Sequence, residues 1–381
     1  FRLRFNEAGQ LVAREAGAYV ERISAGPSGV AIVTPDAELH LSRGEGREVL
    51  ETPWGSFVRA EGAREQTLSS PAGTFRFEFD GQGRRTALHY PNGVVWRWRY
   101  DGLSRVVEQR AERGEGVVLR LEARFDGRHE RRTELRDGEA SRFGYDSAGR
   151  LAACEVGGAK RTYVYDGDGN RVEETAGSSR RHGLYDLRGR LVSWGSQALR
   201  YDGAGRLVQR GDLRLAYDAL GQLTRVERAG QPTIRYGYDA LGRRVRRSEG
   251  EATTRFVWEG DRLLAELGPG ERTRLYVYGQ GVDQPLAYSE GGTWTYLLAN
   301  ERHDVLSYLD ESGAVVDAAR FMPFGEVLAG PSSDRPIFFS GRLRDPATGF
   351  VNMRAREYCP ELGRFLTPDP IGLAGGLNAY A

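Results

Sequence analysis

Histidine and cysteine, the side chains that most often bind metals or act as nucleophiles, are few in this sequence. Five scattered histidines lack both the HExxH spacing and the paired spacing of a zinc site: His40, His89, His129, His182 and His303. The cysteines, Cys154 and Cys359, form no CxxC motif. A thiol nucleophile needs a neighbouring base, and His303 is the histidine nearest to Cys359 in sequence. We therefore expect no metal, no other cofactor, and Cys359 as a small buried hydrophobic residue.

Other sequence motifs for binding or catalysis are incomplete or missing. The run from Asp166 to Asn170 resembles the start of a calcium-binding loop, but Arg171 stands where that loop needs glycine and Gly177 where it needs glutamate. The GxSxG and P-loop patterns are absent, and Lys160 is the only lysine. Acyl transfer and nucleotide chemistry are therefore disfavoured.

Composition and charge narrow the class of protein further. The 381 residues are 39% hydrophobic and include 51 glycines, 18 tyrosines and 15 phenylalanines, which favours many short strands and turns. With 54 basic and 53 acidic residues the net charge is +1, so neither nucleic acid nor a membrane surface is indicated as a partner. No apolar run is long enough to span a bilayer. Because Phe1 to Arg4 hold neither a methionine nor a signal peptide, we expect a processing point there or a targeting signal upstream.

A tyrosine-aspartate unit recurs along the chain and determines the predicted fold. The clear copies begin 16 to 21 residues apart at Tyr145-Asp146, Tyr165-Asp166, Tyr185-Asp186, Tyr201-Asp202, Tyr217-Asp218 and Tyr238-Asp239. Looser copies are Phe5-Asn6, Phe79-Asp80, Tyr100-Asp101, Phe125-Asp126 and Trp258-Glu259. A propeller blade would need a period of about 40 to 45 residues, so a propeller is not indicated.

The Asp-x-x-Gly part of each copy predicts a hairpin turn. The aspartate accepts a hydrogen bond from a backbone N–H two residues on, and the glycine adopts positive φ. The aromatic before the turn and the aliphatic after it, such as Leu151, should form a cross-strand pair on the buried face, with the intervening arginine on the solvent face. Because one hairpin is marginal alone, the hairpins should join into one long antiparallel sheet that twists into a spiral.

The YDxxGRL unit resembles the YD repeat of RHS proteins, of bacterial toxin C-components and of teneurins. The resemblance covers about Phe1 to Gly292. It implies an all-β fold in which residues 1–295 form a β-strip wound into a hollow shell or part of one. It also implies that an upstream shell segment or a partner chain completes that shell.

From about Tyr296 the pattern changes, and residues 296–381 resemble the RHS-repeat-associated core that closes such shells, incomplete at its C-terminal end. The motifs that carry this resemblance are Phe321-Met-Pro-Phe-Gly-Glu326, Phe339-Ser-Gly-Arg-Leu-Arg-Asp345-Pro, and Gly363-Arg364-Phe-Leu-Thr-Pro-Asp369-Pro-Ile-Gly-Leu373. Two departures from the family pattern are Cys359 and Asn352, where acidic or small polar and aromatic residues are more common.

The resemblance also implies a chemistry. The family core is similar to an aspartic autoprotease that releases a C-terminal toxin into the shell by cutting after a second DPxGL motif, downstream of the first motif at Asp369. By resemblance Asp369 is the catalytic residue, and Asp345, from the other Asp-Pro step, is the expected second carboxylate. Two neighbouring carboxylates cannot both ionise easily, so one can act as acid while the other activates water. Arg364 or Arg356 would hold a carboxylate ionised or orient the scissile carbonyl.

The expected function is a shell that encapsulates a C-terminal toxin polypeptide and releases it in cis, in a single turnover. Its expected partners are that toxin and a delivery machinery, and its expected location is outside the producing cell, through secretion or a toxin-delivery system. The alternative is an extracellular carbohydrate-binding or adhesion protein, in which aromatic residues of the repeats form sugar platforms without any cleavage. The candidate platform residues are Trp96, Trp98, Trp258 and Trp294, although aromatics on alternating strands usually belong to the core.

Overall fold

A computed structural model describes residues 2–6, 10–16, 19–26, 29–44, 46–331, 335–376 and 378–381. Strands account for 59% of the chain and helix for 1%, which confirms the all-β prediction. None of the helices in these ranges is long and apolar enough to cross a membrane.

Within the described residues, 33 strands form one antiparallel sheet built from successive hairpins, and this sheet is not closed on itself. The strands are β1 Arg2–Phe5, β2 Leu11–Ala16, β3 Tyr19–Gly26, β4 Gly29–Val33, β5 Glu38–Gly44, β6 Arg47–Thr52, β7 Gly55–Glu61, β8 Glu65–Ser70, β9 Gly73–Phe79, β10 Arg85–His89, β11 Val95–Tyr100, β12 Val106–Arg113, β13 Gly116–Phe125, β14 Arg131–Arg136, β15 Glu139–Tyr145, β16 Leu151–Val156, β17 Ala159–Tyr165, β18 Arg171–Ala176, β19 Ser179–Tyr185, β20 Leu191–Trp194, β21 Gln197–Tyr201, β22 Leu207–Arg210, β23 Leu213–Tyr217, β24 Leu223–Glu227, β25 Ile234–Tyr238, β26 Arg244–Glu249, β27 Ala252–Glu259, β28 Arg262–Leu267, β29 Thr273–Tyr278, β30 Pro285–Glu290, β31 Thr293–Ala299, β32 Val305–Leu309 and β33 Val315–Ala318.

The remaining strands are short and form three small antiparallel ladders. They are β34 Arg320–Phe321 with β35 Val327–Ala329, β36 Phe338–Phe339 with β37 Arg342–Leu343, and β38 Val351–Asn352, β39 Glu357–Cys359 and β40 Arg364–Phe365. Single turns of 3₁₀ helix occur at Pro269–Glu271 and Gly372–Gly375.

Each of the six clear YD motifs forms the predicted hairpin turn. In the first clear copy, Oδ1 of Asp146 accepts hydrogen bonds from the backbone N–H groups of Ala148 and Arg150, both at 2.9 Å, and Gly149 has a φ of +77°. The same two bonds recur at Asp166, Asp186, Asp202, Asp218 and Asp239. The repeat aspartates are therefore structural turn residues.

The aromatic and aliphatic residues that flank each turn lie opposite each other, as predicted. The pairs are Tyr145 with Leu151, Tyr185 with Leu191, Tyr201 with Leu207 and Tyr217 with Leu223. Leu191 and Leu207 are each only 1% exposed. The register shifts by one residue just before each of these four tyrosines, so each of these repeats carries a bulge that adds to the local twist.

The repeat arginine was predicted to lie on the solvent face, and it is in fact only partly exposed because it also contacts the next repeat. Arg150 is partly buried: its Nε donates to Oδ2 of Asp146 at 2.7 Å and its Nη1 to the carbonyl of Asp166 at 2.7 Å. Its guanidinium also lies 4.9 Å from the ring centroid of Tyr165. A planar guanidinium can satisfy all these contacts at once, so partial burial is favourable. Tyr165 in turn donates from its hydroxyl to the carbonyl of Leu151 at 2.8 Å, which ties each repeat to the next.

The chain divides into two compact units, each made of two separated stretches. Unit 1 comprises Phe1–Leu119 and Tyr236–Val316, and unit 2 comprises Arg120–Arg235 and Asp317–Ala381. In unit 1 aromatic residues join the two stretches: Tyr296 donates from its hydroxyl to the carbonyl of Ala72 at 2.7 Å, and Tyr90 donates to the carbonyl of Leu297 at 2.8 Å. The large sheet continues through β33, beyond residue 296 where the sequence pattern changes.

Candidate functional site

In unit 2 the C-terminal segment, defined as Asp317–Ala381, is bound to the repeat strands through main-chain carbonyl groups. Three carbonyls of the segment accept from repeat residues: Ala319 from Arg136 (2.7 Å), Leu362 from Arg171 (2.7 Å) and Leu366 from the N–H of Leu207 (2.9 Å). In the other direction, Arg364 donates to the carbonyl of Gly189 (2.9 Å) and the Tyr380 hydroxyl to the carbonyl of Gly205 (2.6 Å). Because main-chain groups are held at several successive turns, the path of the segment over the repeats is fixed.

A buried ionic network reinforces this attachment. The carboxylate of Glu174, whose side chain is 1% exposed, lies 3.3 Å from Arg161, 3.3 Å from Arg171 and 2.7 Å from Arg181. Arg161 also binds both carboxylate oxygens of Glu326, in the C-terminal segment, at 2.5 and 2.6 Å. These hydrogen bonds from Arg161 hold the pKa of Glu326 below its ordinary value. A carboxylate shared by several arginines offsets the cost of burying charge only while the whole network is intact.

Cys359 is buried within this attachment, as predicted. It is 2% exposed, and Nη1 of Arg210 lies 3.6 Å from its Sγ. Burial raises the pKa of the Cys359 thiol above its ordinary value, with Arg210 acting in the opposite direction. A buried thiol that stays protonated is a poor nucleophile, so Cys359 has a packing role.

Asp369 opens the turn that follows β40. Its Oδ1 accepts the N–H of Ile371 at 3.0 Å, and its carbonyl accepts the N–H of Gly372 at 3.0 Å. The other carboxylate oxygen, Oδ2, forms an ion pair with Nη2 of Arg356 at 3.0 Å, and both side chains are largely buried. Asp369 is therefore a turn residue whose second oxygen is held by an arginine.

The end of the described chain folds back along this turn. The N–H of Asp369 donates to the carbonyl of Ala379 at 2.8 Å, and the N–H of Phe365 donates to that of Tyr380 at 3.0 Å. Nη1 of Arg356 contacts the same Ala379 carbonyl at 3.3 Å, and its guanidinium lies 3.6 Å from the ring centroid of Phe365. One arginine thus contacts a carboxylate and a peptide carbonyl together, which is an arrangement able to polarise that carbonyl beside an acid or base.

Asp345 lies in a separate turn, between β37 and β38, and is 6% exposed. Its Oδ1 accepts the N–H groups of Ala347 at 3.0 Å and Thr348 at 3.1 Å, and its carbonyl accepts the N–H of Gly349 at 2.9 Å. This is the turn chemistry of the repeats, in a more buried setting. Its pairing with Asp369 in catalysis stays a prediction.

Arg364 is 6% exposed and lies between aromatic rings. Its guanidinium is 5.1 Å from the ring centroid of Tyr185 and 4.9 Å from that of Tyr380, and its Nη2 donates to the carbonyl of Gly189. Of the two candidate arginines, Arg356 is therefore the one bound to Asp369, whereas Arg364 attaches the segment to the YD turn at Tyr185. A catalytic role for Arg364 stays a prediction.

The sequence reasoning missed the residues that bring the tail onto the repeats. Tyr380 is 3% exposed and contacts the YD turn at Gly205, and Nδ2 of Asn378 donates to Oδ1 of Asn170 at 3.1 Å. A signal was present in the sequence, because Asn170 stands where most of the clear repeats have arginine. In the part of the chain that the structure describes, no group of three or more His, Cys, Asp or Glu side chains is placed to hold a metal ion.

Fold, repeat and closing segment together define a YD-repeat β-shell protein. The description "Teneurin YD-shell" matches residues 72–373, and the chain belongs to this family.

Individual relatives are also similar to the chain. It is 28% identical to double-stranded DNA deaminase toxin A of Burkholderia cenocepacia over 85% of the chain and 24% of that protein. It is 29% identical to toxin protein Tse5 of Pseudomonas aeruginosa over 80% of the chain and 24% of that protein. The crystal structure of TcdB2-TccC3 without hypervariable C-terminal region superposes with a TM-score of 0.82 at 16% identity, over 100% of the chain and 24% of that chain. The chain therefore spans about a quarter of the length of each of these three proteins.

Proposed function

We propose that this chain is part of a β-shell that encapsulates a C-terminal toxin polypeptide. Two relatives that match 85% and 80% of the chain are named toxins, and the chain corresponds to about a quarter of each of them. The structural neighbour is described as lacking a hypervariable C-terminal region. The shell is accordingly proposed to need an upstream segment or partner chain, a cargo polypeptide downstream, and a secretion or toxin-delivery system that carries it out of the producing cell.

The sheet suits this purpose on physical grounds. Successive hairpins satisfy one another's backbone groups over 33 strands, so few unpaired edges are left to recruit other chains. Once further strands close the shell, it would keep a partly folded polypeptide away from proteases. The repeat arginines and tyrosines that join neighbouring hairpins would limit local opening of its wall.

We further propose that the C-terminal segment is an autoprotease that releases the cargo once. Asp369 is the proposed catalytic carboxylate, Asp345 the second, and Arg356 the residue that positions the carbonyl. One carboxylate removes a proton from water, and the water oxygen attacks the carbonyl carbon. The protonated partner then donates a proton to the leaving amide nitrogen, so that a carboxylate and an amine are formed.

The observation that carries this proposal is the shared arginine. Arg356 lies 3.0 Å from Oδ2 of Asp369 and 3.3 Å from the carbonyl oxygen of Ala379. A downstream peptide that continues past Ala381 leaves from this point, so its carbonyl groups start beside the carboxylate and the guanidinium.

The test uses the full-length protein, including the sequence beyond Ala381. Wild type should yield two fragments by denaturing electrophoresis that stay together on gel filtration, whereas Asp369→Asn should remain a single chain. Asp146→Asn is the matched control, because it removes a turn carboxylate that also binds an arginine, at a repeat turn remote in sequence. Cleavage of Asp369→Asn at the wild-type rate would contradict the autoprotease.

Encapsulation is tested separately by limited proteolysis of the cleaved wild-type protein. The released fragment should survive protease concentrations that degrade it after the shell is denatured. Equal digestion before and after denaturation would rule out a protecting shell, whatever the result for Asp369.

The alternative of carbohydrate binding or adhesion has less structural support. Trp96 is 2% exposed and packs edge-on against Trp98, with ring centroids 5.8 Å apart. Trp258 donates from its indole N–H to the carbonyl of Arg244 at 2.8 Å. Trp96 is thus a core residue and Trp98 and Trp258 are half-buried, so these three rings do not form an open platform for sugars.

A further inference from the structure

Unit 1 contains a cavity of about 220 Å³ with four aromatic rings along one wall. The rings of Tyr90, Trp96, Trp98 and Tyr100 line one side, and residues from β30 to the start of β32 close the other. The hydroxyl of Tyr100 is occupied, since it donates to the carbonyl of Arg85 at 2.8 Å, and that of Tyr90 donates to the carbonyl of Leu297. Both hydroxyls are therefore satisfied elsewhere, and the two tyrosines line the cavity chiefly with ring surface.

Arg85 supplies the positive charge of this cavity. Its guanidinium lies 5.4 Å from the ring centroid of Trp98 and 5.3 Å from that of Phe77. Its Nη2 donates to the neutral amide oxygens of Gln284 at 3.0 Å and Gln280 at 3.5 Å. Its Nε is buried and has no hydrogen-bond partner among the described residues.

No counter-ion for Arg85 is found in the part of the chain that the structure describes. Its hydrogen bonds go to neutral amides, and it forms no ion pair with Glu301, which lines the same cavity. Burial lowers the pKa of the Arg85 guanidinium. The pKa of His303 is also lowered, first by burial and then by the positive charge of Arg85. A partly buried cation that has only neutral hydrogen-bond partners and lies beside a cavity is costly unless an anion binds in that cavity.

The size of the cavity limits the ligand. An apolar cavity of about 150 Å³ accommodates benzene, so about 220 Å³ holds one ring and a small polar group. Aromatic walls favour a flat ring, and a guanidinium favours a carboxylate, which it can bind through two parallel N–H groups. We propose that this cavity is a binding site for a small carboxylate carried on a single flat ring, with Arg85 as the anchor of the carboxylate.

The test is a titration of the protein with benzoate, followed by calorimetry and by tryptophan fluorescence, to which Trp96 and Trp98 of the cavity wall contribute. Benzamide, with the same shape and no charge, should bind at least about tenfold more weakly, and glucuronate tests whether an acidic sugar ring can replace the aromatic one. Benzoate affinity should also fall as salt is raised. Absence of benzoate binding, or equal affinity for benzoate and benzamide, overturns the proposal using wild-type protein alone. Tighter binding of glucuronate than of benzoate overturns the flat-ring part of it.

Arg85→Gln should abolish the preference for benzoate over benzamide. Arg99→Gln is the control, because Arg99 is on the neighbouring β11, is 66% exposed and pairs with Glu108. An Arg85→Gln protein that is folded by circular dichroism and still prefers benzoate contradicts the role of Arg85. If Arg85→Gln does not fold, the comparison of benzoate with benzamide and the salt dependence decide the outcome.

Discussion

The hydroxyl of Tyr380 donates a 2.6 Å hydrogen bond to the carbonyl oxygen of Gly205, in the fourth position of a YD turn. A Cβ atom at position 205 would lie 2.9 Å from that hydroxyl oxygen, and Gly205 has a φ of +80°. The glycine therefore serves both the turn and the close approach of the C-terminal segment.

Gly205→Ala should destabilise unit 2 by roughly 2–3 kcal/mol, because it adds a steric clash to the cost of positive φ. Gly221→Ala is the matched control: Gly221 has a φ of +83°, and a Cβ atom at position 221 would meet nothing within 4 Å. It should cost only about 1 kcal/mol. Urea unfolding of both variants measures the difference in free energy of unfolding. The double variant Gly205→Ala with Tyr380→Phe, which lacks the clashing hydroxyl, is measured beside them. Equal losses for the two single variants would show that the tail contact is unimportant.

Glu174→Gln should destabilise the protein by about 3 kcal/mol, because it leaves Arg161, Arg171 and Arg181 near one another without their shared carboxylate. Glu155→Gln is the comparison. Glu155 lies on β16, two strands away from Glu174, is 30% exposed, and its contacts with Arg142 and Lys160 are longer, at 3.5 and 3.7 Å. Its loss should cost no more than about 0.5 kcal/mol. Similar denaturation midpoints for the two variants would contradict a special role for the network.

The attachment of the C-terminal segment should weaken in acid. Hydrogen bonds from Arg161 lower the pKa of Glu326 from its ordinary 4.5. The contribution of the Glu326 carboxylate to the free energy of unfolding is therefore fully present above pH 4.5. That contribution is lost as the pH falls through the lower pKa of the folded state. Glu326→Gln should therefore be less stable than wild type by about 1 kcal/mol at neutral pH, and the two should converge in acid. Melting temperatures measured from pH 7 to pH 3 test this, and parallel curves for the two proteins would argue against it.

Arg150→Gln should lower the free energy of unfolding by about 1–2 kcal/mol. The variant loses the contacts of Arg150 with Asp146 in its own repeat and with Asp166 and Tyr165 in the next. Arg188→Gln provides the control, since Arg188 is an exposed residue within a YD turn. Hydrogen exchange should show faster opening of β16 and β17 in Arg150→Gln and unchanged exchange in Arg188→Gln. Unchanged protection in both proteins would mean that the arginine does not couple neighbouring repeats.

The sequence predicted what depends on local chemistry. Asp146 and Gly149 specify their turn by hydrogen bonding and by φ, and the Tyr145 and Leu151 pair follows from strand geometry, so each could be inferred from one repeat. The partners of Arg150 could not, because they belong to the next repeat and depend on the twist between hairpins.

The candidate site was harder to infer for the same reason. Asp369 could be named only by resemblance, and its bond to Arg356 depends on how the tail folds back at Ala379. The contact between Tyr380 and Gly205 joins positions far apart in sequence, and a periodic pattern carries no information about such a pair.

The arginine bridge between hairpins has a consequence for how such chains can change in evolution. Arg150 meets Tyr165, Arg190 meets Tyr201 and Arg206 meets Tyr217 through the same kind of contact. If one whole repeat is duplicated or lost, the arginine on one side of the junction meets an equivalent tyrosine on the other. Where the arginine and tyrosine are both present, gene recombination can therefore lengthen or shorten the protein in steps of one hairpin without requiring a compensating mutation.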